Sequence, residues 1–396
     1  MTTVAKNESK GMADRRSRLT GAFRSSDSRT ITLLVVFVLL TIYFHFASHG
    51  IFFSPRNISL LLRQASIAAV VAAGVSILIV MGEIDLSIGS AVYLCSVVAA
   101  GLQTYYGAGT LETVATTILV GVVLGAWQGA WVVAVSIPSF VVTLSGLLAF
   151  RGFGYSLSNA QTIAPVTKAF SALSEGFLDK TVSYLMLAVV FALGAVNIIA
   201  GYRRTAHEGR ENAGRTGLAL FALIGAVGGL AWAFGGFLGI PEALIWVGVI
   251  GALLTGLMAR TKFGRNAYLV GANREAAVLA GISLGRQLML GFILMGFLYG
   301  VAGVLITARL GAATASSGLF LELDAIAGAV IGGTSLRGGI GSVPGAIAGA
   351  VLLTTIDNGM SILNVSSFLQ MVVKGLVLLF ALAFDAVMSK RRSIGG

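Results

Sequence analysis

Long stretches without a charged residue decide what this chain can become. Thr113–Phe150, Thr181–Tyr202, Thr216–Pro241 and Gln287–Ala308 each contain no Asp, Glu, Lys or Arg. A soluble domain carries charge at roughly 25% of its positions. Here charged residues are 11% and apolar residues 56%, too few charges to coat a water-facing surface of this size. A helix crossing a hydrocarbon core of about 30 Å needs about 20 mostly apolar residues. Twelve segments approach that pattern: 31–49, 58–81, 86–106, 113–136, 138–157, 181–201, 217–238, 243–259, 288–308, 324–336, 340–358 and 367–388. Pro138 divides the run Thr113–Phe150, which is too long for one span. The segment 324–336 is short, either a half-helix or a tilted element. The fold class expected is all-α, a polytopic transmembrane helix bundle of about 12 spans with lipid as the solvent for much of its surface.

The basic residues orient the bundle. With the N-terminus inside and the spans alternating, 20 of the 27 Lys and Arg residues fall on inside segments, four on outside segments and three within spans. That bias places both termini in the cytoplasm. The domain reading follows: a basic cytoplasmic tail at 1–29, a transmembrane domain at 30–388 and a cytoplasmic tail at 389–396. Two cytoplasmic loops, at 202–216 and 260–287, interrupt the transmembrane domain. Residues 1–29 lack the short n-region and small-residue cleavage site of a signal peptide, so the first span is expected to be retained.

Several function classes lose support. The net charge of +11 sits in loop clusters without interleaved aromatics, which argues against nucleic acid. Cys95 is the lone cysteine, and His45, His49 and His207 are scattered, so no metal site is expected. None of the seven lysines follows a glycine, so no phosphate-binding Gly-Lys-Ser/Thr loop exists. No paired His, Ser–His or clustered carboxylates suggest an intramembrane enzyme.

Four polar segments stand out. Gly82-Glu-Ile-Asp-Leu-Ser-Ile-Gly-Ser90 sets Glu83, Asp85 and Ser87 between uncharged runs. Asp85 either caps a starting helix or lines a helix break as a gate. Glu322-Leu-Asp324 repeats the Glu-x-Asp spacing, an echo that chance explains better than an inverted repeat. On this topology Glu322 and Asp324 lie at the outer face and Glu83 at the inner end. Asp357, Asn358 and Gln370 cap helices near the outer end or touch a solute in transit. Arg63 is expected to snorkel; Arg151 and Lys374 have buried carboxylates such as Asp357 as alternative partners.

The loop 260–287 is the fourth. It reads Arg260-Thr-Lys-Phe-Gly-Arg265, then Gly271-Ala-Asn-Arg-Glu-Ala-Ala-Val-Leu-Ala-Gly281. Glu275–Ala280 predicts a short helix ended by Gly281. Such a helix either lies on the membrane surface or docks a soluble partner. Gly332–Ser342 is a glycine-dense turn between two short spans.

These segments carry a resemblance. Gly82–Ser90, Ile137-Pro-Ser-Phe-Val-Val-Thr-Leu144, Phe263-Gly-Arg-Asn-Ala-Tyr through Ile282, Glu322 through Gly339, and Asp357-Asn-Gly-Met through Phe368 together resemble sugar permeases of ATP-binding-cassette (ABC) importers, ribose/xylose branch. The similarity runs from about Thr30 to Met388. It implies a type II ABC-importer-like permease fold and a homodimer in the bacterial inner membrane, in contact with lipid. It also implies a cytoplasmic ATPase that holds ATP and Mg, no cofactor on this chain, and a periplasmic sugar-binding protein. Gly264, Arg265, Gly271, Asn273, Glu275, Ala276, Ala277 and Gly281 look like the ATPase-coupling loop. Glu83, Asp85, Ser87, Glu322, Asp324, Asn358 and Gln370 are candidates for gating or translocation. Family members often have Gly-Gly-Ile-Asp where this chain has Gly82-Glu83-Ile-Asp. The added spans in 181–240 look like the longer D-xylose branch. A stand-alone secondary carrier or channel is the rival reading, and it would need titratable residues central in the spans.

Overall fold

The computed structural model describes residues 37–207 and 213–394. The expected tail 1–29 and the centre of the loop 202–216 lie outside the described residues. Fifteen helices account for nearly all regular structure in the described residues. In chain order they are α1 (Phe37–Ala47), α2 (Pro55–Val80), α3 (Ile88–Tyr105), α4 (Thr110–Ala134), α5 (Ser139–Ser158), α6 (Lys168–Glu175), α7 (Lys180–His207) and α8 (Ala213–Gly235). There follow α9 (Glu242–Arg260), α10 (Lys262–Ala272), α11 (Arg274–Leu279), α12 (Leu284–Leu310), α13 (Leu321–Ile331), α14 (Val343–Ile362) and α15 (Ser367–Ile394). Two isolated bridges, Ile163 with Ala313 and Phe177 with Pro241, are the β pairing among the described residues.

Each of the twelve expected spans coincides with a helix, and nine of those helices are long and apolar enough to cross a membrane. The other three are α1, α13 and the apolar part of α15, Ser367–Phe380. Helix ends follow local chemistry. Ser54 caps α2 by accepting the Asn57 N–H, with Pro55 at the first position. Pro138 separates α4 from α5 as expected. Asp179 starts α7, and the Thr181 N–H it accepts holds its carboxyl below the usual range. Two helices were not foreseen. α6 is short and amphipathic, capped by Thr167, and buries Phe170. α10 is likewise amphipathic and too short for a span-length window to register. The segment from 389, read as a tail, continues α15 to Ile394.

The core is α2, α3 and α12, whose most apolar windows are 83%, 72% and 67% buried. α7 and α8 are only 11% buried and pack chiefly on each other, so they form a hairpin at the rim. The tightest seam joins α4 and α12. Gly121 and Gly125 face Gly296 and Gly300 with backbone against backbone. Lipid offers no hydrophobic drive for helices to associate, so this close van der Waals approach is what holds them. A Cβ on Gly125 would sit 2.8 Å from the Gly296 Cα, with no flexible side chain to yield.

The expected alternation is consistent with which loops meet. Segments 81–84, 136–139, 261–287 and 332–342 gather at one end, joined by bonds such as Ile84 N–H to Ser139 Oγ and Gln287 Nε2 to the Phe263 carbonyl. Segments 104–108, 163–179 and 311–313 gather at the other.

Gly125→Leu is expected to split the α4–α12 seam. Overpacking of this kind costs about 1–3 kcal/mol. Thermal unfolding of the detergent-solubilised chain reads it as a lowered midpoint, while Leu119→Ala on the exposed side of α4 leaves the midpoint unchanged.

Candidate functional site

The site is built around two helix interruptions. α2 ends at Met81, and Gly82 turns the chain with φ +80. Residues 83–87 then run outside any helix until α3 begins at Ile88, with Glu83 N–H still bonded to Leu78 of α2 and the Ser87 carbonyl to Ala91 of α3. At membrane depth such free backbone groups need internal partners. α5 supplies them: Ser139 Oγ accepts from the Ile84 N–H at 3.2 Å, and Thr143 donates to the Ile84 carbonyl at 3.2 Å. The second interruption precedes α13. Phe320 adopts a left-handed φ of 62, and α13 runs only from Leu321 to Ile331, roughly 16 Å at about 1.5 Å per residue. α13 therefore starts well inside the bundle. Glu322 in its first turn lies against Gly89 in the first turn of α3. Glu322 was expected at the outer face and Glu83 at the inner end; the half-length of α13 brings Glu322 against Gly89, six residues beyond Glu83.

Asp85 anchors the first interruption. It accepts from the Ser87 N–H at 2.9 Å and the Ser87 hydroxyl at 2.8 Å, and also from the Tyr299 hydroxyl on α12. Gln128 on α4 donates to Ser87 Oγ at 2.6 Å and lies 3.1 Å from Tyr299 Oη. All four side chains are fully buried. Asp85 and Ser87 thus bond to each other and to α4 and α12 just ahead of α3 and do not line open space; neither side chain caps the first turn of α3. Glu83 is also buried, and its partner is Arg274 at the start of α11.

The other polar candidates pair across helices. Lys374 on α15 bridges Asp357 on α14 at 2.8 Å and Asp324 on α13 at 3.1 Å. Pairing with Asp357 was an expected alternative; Asp324 was not foreseen as a second partner. Asn358 and Asn57 exchange two amide bonds, each 3.0 Å, tying α14 to α2. Asn358 therefore braces two helices and does not cap one. Gln370 donates to the Val365 carbonyl at 2.8 Å, in the link between α14 and α15. Arg63 does not snorkel: it binds Glu175 at 2.5 Å and lies over the Phe177 ring. Arg151 donates to the Ser317 carbonyl at 3.0 Å and lies over Tyr93.

The segment 260–287 divides into an inward and an outward part. Gly264 packs on the last turn of α9 at Met258, and Gly271 packs on Val80 and Gly339. A Cβ on Gly271 would meet the Gly339 N at 2.6 Å. Gly339 in turn donates to the Val80 carbonyl at 2.8 Å, and Tyr268 donates to the Gly341 carbonyl at 2.9 Å. The predicted short helix is α11, shifted one residue to Arg274–Leu279; Asn273 caps it by accepting the Ala276 N–H, which was not foreseen, and Gly281 ends the turn with φ +81 as expected. Ala277 faces inward. Arg265, Glu275 and Ala276 are exposed, as are Val278 at 54% and Leu279 at 89%. Two bare apolar side chains on a short, well-capped helix make a surface suited to a partner. Beside it, a cavity of about 460 Å³ lies between Glu83, Arg274, Ser139, Phe140, Gly285 and Leu288.

Tyr299, Gln128, Asn57 and Arg274 were missed as site residues. The available signal was a lone amide and a lone phenol in uncharged spans for Gln128 and Tyr299, an amide directly ahead of a span for Asn57, and a cation directly ahead of the predicted helix Glu275–Ala280 for Arg274. No group of three or more His, Cys, Asp or Glu able to hold a metal occurs among the described residues.

Tyr299→Phe removes the hydroxyl that Asp85 and Gln128 share. A buried acceptor left short of a partner costs about 1–3 kcal/mol, so the midpoint of thermal unfolding should fall. Asp85→Asn keeps an acceptor for Ser87 and should fall less than Asp85→Leu.

The sequence matches the family described as "Branched-chain amino acid transport system / permease component" over residues 57–382. It is 37% identical to the xylose transport system permease protein XylH of Escherichia coli over 381 residues, 93% of this chain and 94% of that one. The same protein from Haemophilus influenzae is also 37% identical, covering 93% of this chain and 99% of its own length. The ribose import permease protein RbsC of Escherichia coli is 30% identical, covering 89% and 92%. No solved structure matches. With nine span-length apolar helices and that match along most of its length, the chain is a multi-pass membrane protein and belongs to this family of transport-system permease components.

Proposed function

We propose that this chain is the membrane-spanning subunit of an ABC importer that carries a pentose, D-xylose, across the bacterial inner membrane into the cytoplasm. The observation that carries the reading is α11, a capped helix with Val278 and Leu279 bare to solvent at the end where the loops 81–84, 136–139 and 332–342 meet. The predicted cytoplasmic loop with the most basic residues contains it, which supports a cytosolic facing for that end. With no phosphate-binding loop in the sequence, energy has to arrive through a contact, and α11 is the surface offered for it. ATP and Mg belong to the cytoplasmic ATPase that would dock there.

A second copy of the chain and a periplasmic sugar-binding protein complete the assembly. The xylose relatives support the choice of sugar, and the rim hairpin α7–α8 matches the longer form expected of that branch. Each partner must bind the outward and inward states with different affinity, since a ligand shifts an equilibrium only by that difference. The buried charges found here are paired or bonded to helix ends, which leaves a neutral sugar a path through small and hydroxyl-bearing surfaces.

Proteoliposomes test the reading. The chain with its ATPase, ATP inside and sugar-loaded binding protein outside should accumulate labelled xylose, and ribose more slowly. The chain alone should accumulate none; uptake by the chain alone would mark a secondary carrier. Leu279→Asp should weaken co-purification of the ATPase by about tenfold, equal to about 1.4 kcal/mol.

A further inference from the structure

Glu83 has no part in the function so far. Its carboxylate is 4% exposed, and Arg274 is the ion-pair partner found for it among the described residues. Arg274 is the first residue of α11, is itself half exposed, and also lies 3.4 Å from the carbonyls of Met81 and Gly82. Two residues beyond Glu83, Asp85 enters the buried bonds to Ser87 and Tyr299. One charged contact thus joins the exposed helix to the interruption between α2 and α3.

The segment α10–α11 holds to the bundle elsewhere as well, and the tightest of those contacts is of different character. Gly271 sits backbone-on-backbone against Val80 and Gly339, with no room for a Cβ. That contact is a stiff pivot. The Arg274–Glu83 contact is made by side-chain tips and can open and close.

We propose that the Arg274–Glu83 ion pair is the strut through which displacement of α11 reaches the α2–α3 junction, with both residues acting as positioning residues for translocation. The inference rests on the reading of α11 as the ATPase dock. With the pair made, as here, Glu83 stays buried and the junction is closed. If the ATPase draws α11 away about the Gly271 pivot, the guanidinium leaves. A buried carboxylate without a counter-charge is strongly disfavoured, so Glu83 must follow its partner or reach water. The cavity bounded by Ile84, Ser139 and Leu288 lies beside it and gives the turn somewhere to go. Either motion pulls on Asp85 and opens the inner end.

The test uses the complete importer, with ATPase and binding protein, in proteoliposomes. Glu83→Gln, Arg274→Gln, the double variant and Arg274→Lys are compared for three quantities: ATPase co-purification, ATP hydrolysis and xylose uptake. The strut predicts normal co-purification throughout. It predicts that either single Gln variant raises the ATP consumed per xylose imported by about tenfold. The double variant should be no worse than either single, since the two residues act as one unit. Arg274→Lys, which keeps the charge, should recover most of the coupling.

Unchanged coupling in both single variants, or independent losses that multiply in the double, overturns the strut alone. Uptake lost together with ATPase binding in Arg274→Gln also overturns it, because Arg274 would then be a docking contact. An unmodified chain that fails to bind the ATPase overturns the docking assignment and the strut with it.

Discussion

Backbone groups freed at a helix break cannot turn to lipid for hydrogen bonds, and this constraint shapes the centre of the molecule. The chain leaves helical geometry between α2 and α3, where water is scarce, so every polar group there needs a partner inside the protein. Ser139 and Thr143 of α5 take the Ile84 backbone, and Ser87, Gln128 and Tyr299 enclose Asp85. Four helices are drawn together by that need. The break is therefore a junction, and moving it means moving α3, α4, α5 or α12 with it.

Around the junction the bundle uses two kinds of contact. Where helices must not shift, glycines bring backbones together, as along α4 and α12. Such seams transmit motion as rigid bodies because close-packed surfaces do not deform continuously. Where helices end, charged pairs take over: Arg63 with Glu175, Lys374 with Asp357 and Asp324, and Arg274 with Glu83. These pairs can be remade without repacking the core. The bundle thus holds both stiff bodies and contacts that can be exchanged between them.

Much of this architecture was legible in the sequence because lipid imposes a length and a polarity on each span. The twelve apolar runs, the division at Pro138 and the stop at Gly281 all rest on local chemistry that one sequence displays. What was not legible is tertiary. Glu322 was placed at the outer face because nothing local reveals that α13 begins inside the bundle, against Gly89. Arg63 looked like a snorkelling residue because Glu175 lies on a helix, α6, too short for a hydropathy window. Asp85 offered two readings in sequence, and neither included its bond to Tyr299 on α12, a residue 214 positions away.

The rim hairpin has a consequence for how such a chain can change length. α7 and α8 leave the bundle and return to it at the same end, and they hold mainly to each other, with lighter contact to α2. Adding or deleting an even number of crossings preserves the sidedness of everything that follows. A chain can therefore gain or shed this pair while α9 through α15, α11 among them, keep their facing. Loss of one helix alone would invert the entire second half of the molecule.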